Sequence, residues 1–437
     1  KDKMLKHLLI TTAILAGSAG LLQAASGEND TVKIGILMGF TGPVESLTPD
    51  MAASAEMAID EINASGRFLD GASIETLRGD STCVDAGAAT AAAERLIGDD
   101  VAAILGAACS GATGAVVSNV GVPNGVLTLS PSATSPSLSD INDRDLFFRT
   151  APSDARQGEV LARLTLARGV NEVAITYTNN DYGKGLETAF AKAYEELGGT
   201  IAITVAHEDG KADYSAEVST LAASGVADLL VIGYVDQGGR QIIQTSLDLG
   251  AFDRFILPDG MIGESLLADL GSNLQGSFGS VPGADNDAAR AFDVMAAQAG
   301  ISGTGPFRAE SYDAAALIAL AMQSAGSSDR SEIAKHMASV ANAPGTPIGV
   351  GDLAEGLRIL SEGGEIDYVG ASNLELDAKG MCAALAIVGL LRALAKTHRR
   401  PQQQMCIPIL HSASQLQRRP PRYLPVFPQR EAGLRSL

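Results

Sequence analysis

The chain has 437 residues, 46% of them hydrophobic, and a formal net charge of −19. A single hydrophobic core rarely grows beyond roughly 250–300 residues, so this length predicts two domains and excludes a lone small module. Residues 1–380 contain 23 Lys and Arg against 50 Asp and Glu, a net charge of −27. This strongly acidic balance argues against nucleic acid or an anionic membrane surface as a partner.

The N-terminus has the pattern of an export signal. A short basic segment precedes the mostly apolar residues 8–22, and small residues follow. A membrane anchor is the alternative, but the apolar stretch is shorter than the roughly 20 residues that a spanning helix needs. The sequence therefore predicts a signal peptide over residues 1–26, cleaved near Ala24 to Ser26, and a periplasmic protein.

Cys83 and Cys109 are the two cysteines within the part of the sequence that has a globular pattern. In an oxidising compartment such a pair normally forms a disulfide. Zinc is the alternative ligand, but no histidine lies between or near the two cysteines. We expect a disulfide and neither a metal nor a cofactor.

From Val32 onward, short apolar runs alternate with amphipathic stretches, which is typical of strands and crossover helices in a parallel sheet. The first apolar run leads to a predicted helix with Thr48 as its N-cap. Four such repeats form one α/β lobe, and the alternation restarts near Thr150 to form a second lobe. The Gly- and Ser-rich residues 276–283 predict a return crossing to the first lobe, so the two lobes form a hinged cleft.

Two motifs of the first lobe follow predicted strands. Residues 106–114 (GAACSGATG) open a helix and favour an anion site with the Ser110 hydroxyl as an added donor, although they lack the lysine of a nucleotide-binding loop. Residues 130–136 (SPSATSP) contain two prolines that keep backbone groups out of a strand ladder and free for a ligand. An ordinary tight turn and an ordinary Pro-rich loop remain the alternatives.

Three strand ends of the second lobe also carry side chains suited to a binding cleft. They are residues 181–185 (DYGKG), Tyr234 and residues 258–260 (PDG). Each alone is equally typical of a turn. No nucleophile with a base partner is evident, because His207 and His336 have no catalytic companion in the sequence. We therefore expect a binding protein and not an enzyme.

Four of these segments, residues 106–114, 130–136, 181–185 and 311–314 (SYDA), together resemble the periplasmic branched-chain amino-acid binding proteins, the receptors of ABC importers. The similarity runs from about residue 31 to residue 380. The resemblance implies two Rossmann-like lobes with parallel central sheets joined by a three-strand hinge, the type I periplasmic binding protein fold. It also implies a monomer that takes a branched-chain or related amino acid, possibly an amide, to a membrane complex of permease and ATPase.

The family's fold sets the expected domain boundaries. The third hinge crossing is expected near Tyr368 to Asn373. The expected units are a signal peptide (1–26), a first lobe (27–150 plus 283–368), a second lobe (151–282 plus 369–380) and a tail (381–437).

The resemblance also implies a set of ligand-binding residues in this chain: Ser110, Ser132, Ala133, Thr134, Tyr182, Tyr234 and Asp259. Ser110 and Thr134 would bind the ligand carboxylate. The Ala133 carbonyl, the Thr134 hydroxyl and Asp259 would take the α-ammonium, since a buried cation needs a counter-charge. Tyr182 and Tyr234 would close over the ligand, and Cys83 with Cys109 match the family's disulfide.

The sequence departs from the family at two places. Leu47 stands where the family often has an aromatic residue, so the side-chain pocket is expected to differ. After Gly380 a basic, Pro-rich tail replaces the expected last strand of the second lobe, which a frameshift or an interaction arm would explain. A ligand-sensing receptor domain of the same fold, controlling a signalling partner, remains the alternative function.

Overall fold

The computed structural model describes residues 30–284, 286–382 and 387–390. The predicted signal peptide and most of the Pro-rich tail lie outside the described residues. No helix among the described residues is long and apolar enough to cross a membrane.

Strands and helices are numbered in chain order. The strands are β1 (Thr31–Met38), β2 (Ser73–Asp80), β3 (Ala103–Gly106), β4 (Leu127–Ser130), β5 (Phe147–Arg149), β6 (Glu172–Thr178), β7 (Thr200–His207), β8 (Asp228–Ile232), β9 (Arg254–Leu257), β10 (Phe278–Pro282), β11 (Thr346–Ile348), β12 (Ile366–Tyr368) and β13 (Ile387–Leu390). The helices are α1 (Thr48–Ser65), α2 (Ala86–Gly98), α3 (Ser110–Val116), α4 (Val122–Asn124), α5 (Asp154–Ala167), α6 (Asp181–Glu196), α7 (Ser215–Ala222), α8 (Gly238–Leu249), α9 (Glu264–Leu270), α10 (Asp287–Gln298), α11 (Arg308–Ala325), α12 (Arg330–Ala341) and α13 (Leu353–Ser361).

Two separate sheets confirm the two predicted α/β lobes. The first has the strand order β2-β1-β3-β4-β5 and is parallel throughout, and the second has the order β13-β10-β9-β8-β6-β7. Strands β3, β4 and β8 are buried along their whole length, as strands covered by helices on both faces must be. The small pair β11-β12 is separate from both sheets.

Helix α11 forms the centre of the first lobe. Fourteen of its 18 residues are buried, and it packs against α1, α12 and α13. Because it is enclosed by these helices, α11 ties the C-terminal part of the sequence to the N-terminal repeats.

The start of α1 differs from the prediction by one residue. Thr48 is the first helical residue and Leu47 occupies the N-cap position. The Thr48 hydroxyl donates to the Gly39 carbonyl at 2.9 Å and so does not cap the helix. This bond fixes α1 against the end of β1.

The chain leaves the first sheet after β5 and leaves the second sheet after β10. The third crossing lies later than residues 368–373, because these residues and the ones that follow are bonded to the first lobe. The backbone N–H of Ser372 donates to Asp313, and the Lys379 ammonium pairs with Asp140.

The second lobe was predicted to lack its last strand, and here the structure differs. Strand β13 runs antiparallel to β10, with Val388 opposite Val281. Its sequence, IVGL, includes two β-branched residues, which favour a strand. The four residues pair with β10 and form the edge of the sheet.

Candidate functional site

A cavity lies between the two lobes, at the carboxyl ends of their strands, where ligands bind in open α/β sheets. The atoms around it leave about 410 Å³ of empty space, part of which is open to solvent. Its lining residues are Val44, Leu47, Thr48, Met51, Ala108, Cys109, Ser110, Ser132, Thr134, Tyr182, Tyr234, Asp259, Gly260 and Phe307. All the predicted ligand-binding residues except Ala133 are therefore among its walls.

The first lobe contributes hydroxyl groups from the loops that follow β3 and β4. The Ser110 hydroxyl accepts a hydrogen bond from the backbone N–H of Ser135 at 3.1 Å, and the Ser132 hydroxyl donates to the Ala108 carbonyl at 2.8 Å. These bonds hold the two loops together. The buried Thr134 belongs to the loop after β4 and also lines the cavity.

Gly106 lets the loop after β3 approach β1. Its φ angle is +139°, and a Cβ atom there would lie 2.0 Å from the Leu37 carbonyl oxygen. Only glycine fits this position, because any other residue would have an unfavourable φ angle and its Cβ atom would clash with Leu37. The close approach brings Ala108 and Ser110 to the cavity.

Ala133 is placed behind the wall of the cavity. Its carbonyl accepts from the Nη1 of the buried Arg149 at 3.4 Å, and the same nitrogen donates to the Ser135 carbonyl at 2.9 Å. Burial lowers the pKa of the Arg149 guanidinium, which the charge of Asp154 partly offsets.

The second lobe contributes two stacked tyrosines and a carboxylate. The rings of Tyr182 and Tyr234 have centroids 5.3 Å apart, and the Tyr182 hydroxyl donates to Asp259 Oδ1 at 2.7 Å. Asn180 caps α6, since its side chain accepts from the backbone N–H of Gly183 at 3.0 Å, and this cap orients Tyr182. These three side chains form one preorganised wall of the cavity.

Asp154 is the polar residue at this site that the sequence analysis missed. Its backbone N–H donates to the Thr134 carbonyl at 2.8 Å, and its side chain is fully buried and does not line the cavity, although its charge acts on Asp259 and Tyr182, which do. Neither of its carboxylate oxygens has a partner at hydrogen-bonding geometry among the described residues. In the sequence it follows Ser153 at the start of α5. An acidic residue is common at this position because it complements the helix dipole, so the sequence gives no sign of a role in binding.

The two buried carboxyl groups therefore act on one another, and the Arg149 guanidinium offsets only part of the effect on Asp154. Burial first, and then the charge of Asp259, raise the pKa of Asp154 well above its usual value, and the Thr134 hydroxyl offsets only part of this. Burial likewise raises the pKa of Asp259, although the bond from Tyr182 opposes the change. A cation between the two would restore both charges.

The far end of the cavity is apolar. Val44, Leu47 and Met51 come from the loop before α1 and from α1 itself, and Phe307 comes from the segment immediately before α11. Phe307 was not predicted, because an isolated aromatic residue before a helix carries no recognisable pattern. This end provides a surface for an aliphatic group.

A cavity that is lined by the strand-end loops of two α/β lobes defines a small-ligand binding protein. The chain belongs to the periplasmic binding protein family, because the model of the family described as "Periplasmic binding protein" matches residues 31–356. This finding confirms the family that the motifs resemble, and it agrees with the predicted fold.

Individual relatives agree. The chain is 30% identical, over 78% of its length and 89% of the relative's, to the leucine-, isoleucine-, valine-, threonine- and alanine-binding protein of Pseudomonas aeruginosa. Its fold matches the substrate-binding protein of a branched-chain amino-acid transporter from Streptococcus pneumoniae, solved with isoleucine, at a TM-score of 0.66, 22% identity and coverage of 82% and 100%. A solute-binding protein from Rhodopseudomonas palustris, solved with 4-hydroxybenzoate, matches at a TM-score of 0.62, 20% identity and coverage of 72% and 86%.

Proposed function

We propose that this protein is the extracytoplasmic solute-binding protein of an ABC importer and that it binds an α-amino acid with an aliphatic side chain. The observation that carries the proposal is a pair of buried, interacting carboxyl groups: Asp259 lines a cavity that also has apolar walls, and the charge of Asp154 acts on Asp259. An α-ammonium offers three N–H donors and a positive charge to this pair. A ligand that is only an acid, such as a benzoate, would add a negative charge to two buried carboxyl groups.

The proposed pose follows from the placement of the polar groups. The ligand carboxylate lies against the hydroxyls of Ser110 and Thr134 on the first lobe, with Ser132 beside them. The ammonium lies between Thr134 and Asp259, with Asp154 as a second counter-charge. Tyr182 and Tyr234 cover the ligand from the second lobe, and the side chain points to Leu47.

Binding that spans the cleft stabilises the closed form, because the ligand contacts Ser110 and Thr134 on one lobe and Asp259 on the other. We propose that the closed form is then recognised by the permease and ATPase complex in the membrane. Export through residues 1–26 would bring the protein to the periplasm. The P. aeruginosa relative supports this assignment, because it is a leucine-, isoleucine-, valine-, threonine- and alanine-binding protein.

The test is a thermal-shift screen, followed by calorimetric titration, of the chain from residue 27 with leucine, isoleucine, valine, alanine, glutamate, lysine and benzoate. The aliphatic amino acids should raise the melting temperature, and benzoate should not. Asp259→Asn should lower the affinity for leucine at least about 30-fold, since it removes a buried counter-charge. Asp248→Asn, the same change at an exposed position on α8, is the matched control. Stabilisation by benzoate alone, or full affinity in Asp259→Asn, would refute the proposal.

A further inference from the structure

Asp236 reaches from the second lobe across the cleft to the first. It follows Tyr234 by two residues, just beyond β8. Its Oδ2 atom accepts from the backbone N–H of Ser46 at 2.8 Å, and its own backbone N–H donates to the Pro43 carbonyl at 3.1 Å. The Ser265 hydroxyl of α9 donates to its other oxygen at 3.1 Å and holds the carboxylate in place. One residue of the second lobe thus binds both a donor and an acceptor of the loop 43–47.

The loop 43–47 carries part of the apolar end of the cavity. Val44 and Leu47 both line the cavity and are buried, whereas Ser46 between them is exposed. Leu47 also contacts the second lobe closely, since a Cβ atom added to Gly263 would lie 3.1 Å from its Cδ2. The position of this loop therefore sets the shape of the space that the ligand side chain meets.

The segment that carries Phe307, the other apolar part of the lining from the first lobe, is bonded to the second lobe in a similar way. Glu264, at the start of α9 in the second lobe, accepts from the backbone N–H of Thr304 at 3.1 Å and from the Thr304 hydroxyl at 3.2 Å. Thr304 precedes Phe307 by three residues in the first lobe. Each apolar segment of the first lobe is thus bonded to one acidic residue of the second.

We propose that Asp236 is a positioning residue for ligand recognition, which fastens the loop 43–47 across the cleft and thereby completes the apolar end of the cavity when the lobes close. Its bonds to Ser46 and Pro43 join the two lobes, so they form with closure and break on opening. Hydrogen bonds to a carboxylate are stronger than those between neutral groups, which suits a fastening at the exposed rim. Closure and the shaping of the side-chain pocket are then one event. The inference rests on the proposed function and adds to it a determinant that does not touch the ligand.

The test compares the wild type with Asp236→Ala, Asp236→Asn and the control Asp248→Asn by calorimetric titration with leucine and with alanine. Asp236→Ala should lower the affinity for leucine at least about tenfold. It should lower the leucine-to-alanine affinity ratio at least about threefold, because the short side chain of alanine leaves the far end of the cavity empty. Asp236→Asn keeps an oxygen acceptor for Ser46 and should recover part of both values. Unchanged leucine affinity, or an equal loss for both ligands, would overturn the proposal.

Hydrogen exchange separates this proposal from the ligand assignment. The peptide that contains Ser46 is followed in wild type and Asp236→Ala, each without ligand and with leucine. Faster exchange in the variant, in at least one of these states, supports the proposal that Asp236 holds the loop 43–47. If this result is obtained and no amino acid binds, only the proposed ligand class is wrong. Equal exchange in both states, at the level of Asp248→Asn, contradicts it.

Discussion

At the scale of single residues, His207 shows how the fold constrains a polar side chain. It ends β7 with 1% exposure, its Nδ1 lies 2.8 Å from the Thr176 hydroxyl, and its Nε2 has no partner among the described residues. Burial lowers the pKa of the imidazole from 6.5 to about 4. The ring is therefore neutral in the folded protein near neutral pH.

His207 should make stability depend on pH. The unfolded chain binds a proton near pH 6.5 and the folded protein only near pH 4, so the free energy of unfolding falls as the pH drops through this window. The difference amounts to roughly 3 kcal/mol once both forms are protonated. His207→Asn keeps a partner for Thr176 and should flatten the slope, as measured by urea unfolding at several pH values. The same slope in wild type and variant would show that other groups cause it.

The residues of the binding site were predictable to different degrees. Ser110, Thr134, Tyr182 and Asp259 follow strands in recognisable motifs, so the sequence places them at the cleft. Asp154 looks like an ordinary helix-start residue, and only the folded chain brings it near Asp259. Contacts between residues far apart in sequence leave no local pattern.

At the scale of elements, the disulfide connects the turn after β2 to the loop before α3. Cys83 and Cys109 are bonded, with Cα atoms 5.3 Å apart and a sequence separation of 26. Cys109 lines the cavity and directly precedes Ser110. The bond therefore supports the loop that carries Ser110, a residue predicted to bind the carboxylate of the ligand.

Removing this disulfide should cost stability. Closing a loop of this length contributes about 3–4 kcal/mol by the chain-entropy estimate, so Cys83→Ala with Cys109→Ala should lower the free energy of unfolding by about that amount. Unfolding is measured with and without a reductant. Reductant should destabilise the wild type and leave the double variant unchanged. Equal behaviour of the two proteins would show that the bond does not form in solution.

The alternation of strands and helices in the first lobe was predictable, because buried parallel strands are short apolar runs between turn residues. The ends of elements were harder. Thr48 has the residue type of an N-cap, yet its hydroxyl bonds to Gly39 in another part of the chain. Strand β13 was missed because its four residues precede a segment whose composition is typical of disorder.

At the scale of the whole molecule, the two lobes meet around buried carboxyl groups. These groups should make the stability of the ligand-free protein and that of the ligand complex change in opposite directions with pH. The pKa values of Asp154 and Asp259 are raised in the ligand-free protein, mainly by burial. A group of this kind costs stability when it is ionised, so protonation on mild acidification should stabilise the empty closed form. An ammonium ligand reverses the preference, since it favours the ionised carboxylates.

Ligand-induced stabilisation should therefore weaken as the pH falls through the raised pKa values of Asp154 and Asp259, and binding near that range should release protons. The melting-temperature increase caused by leucine is measured from neutral to mildly acidic pH, and proton release is read by calorimetry in two buffers that differ in ionisation enthalpy. Asp154→Asn should reduce the proton release while Asp259 still binds the ammonium. A leucine effect that is constant with pH, together with equal heats in both buffers, would mean that the pair is not the counter-charge of the ligand.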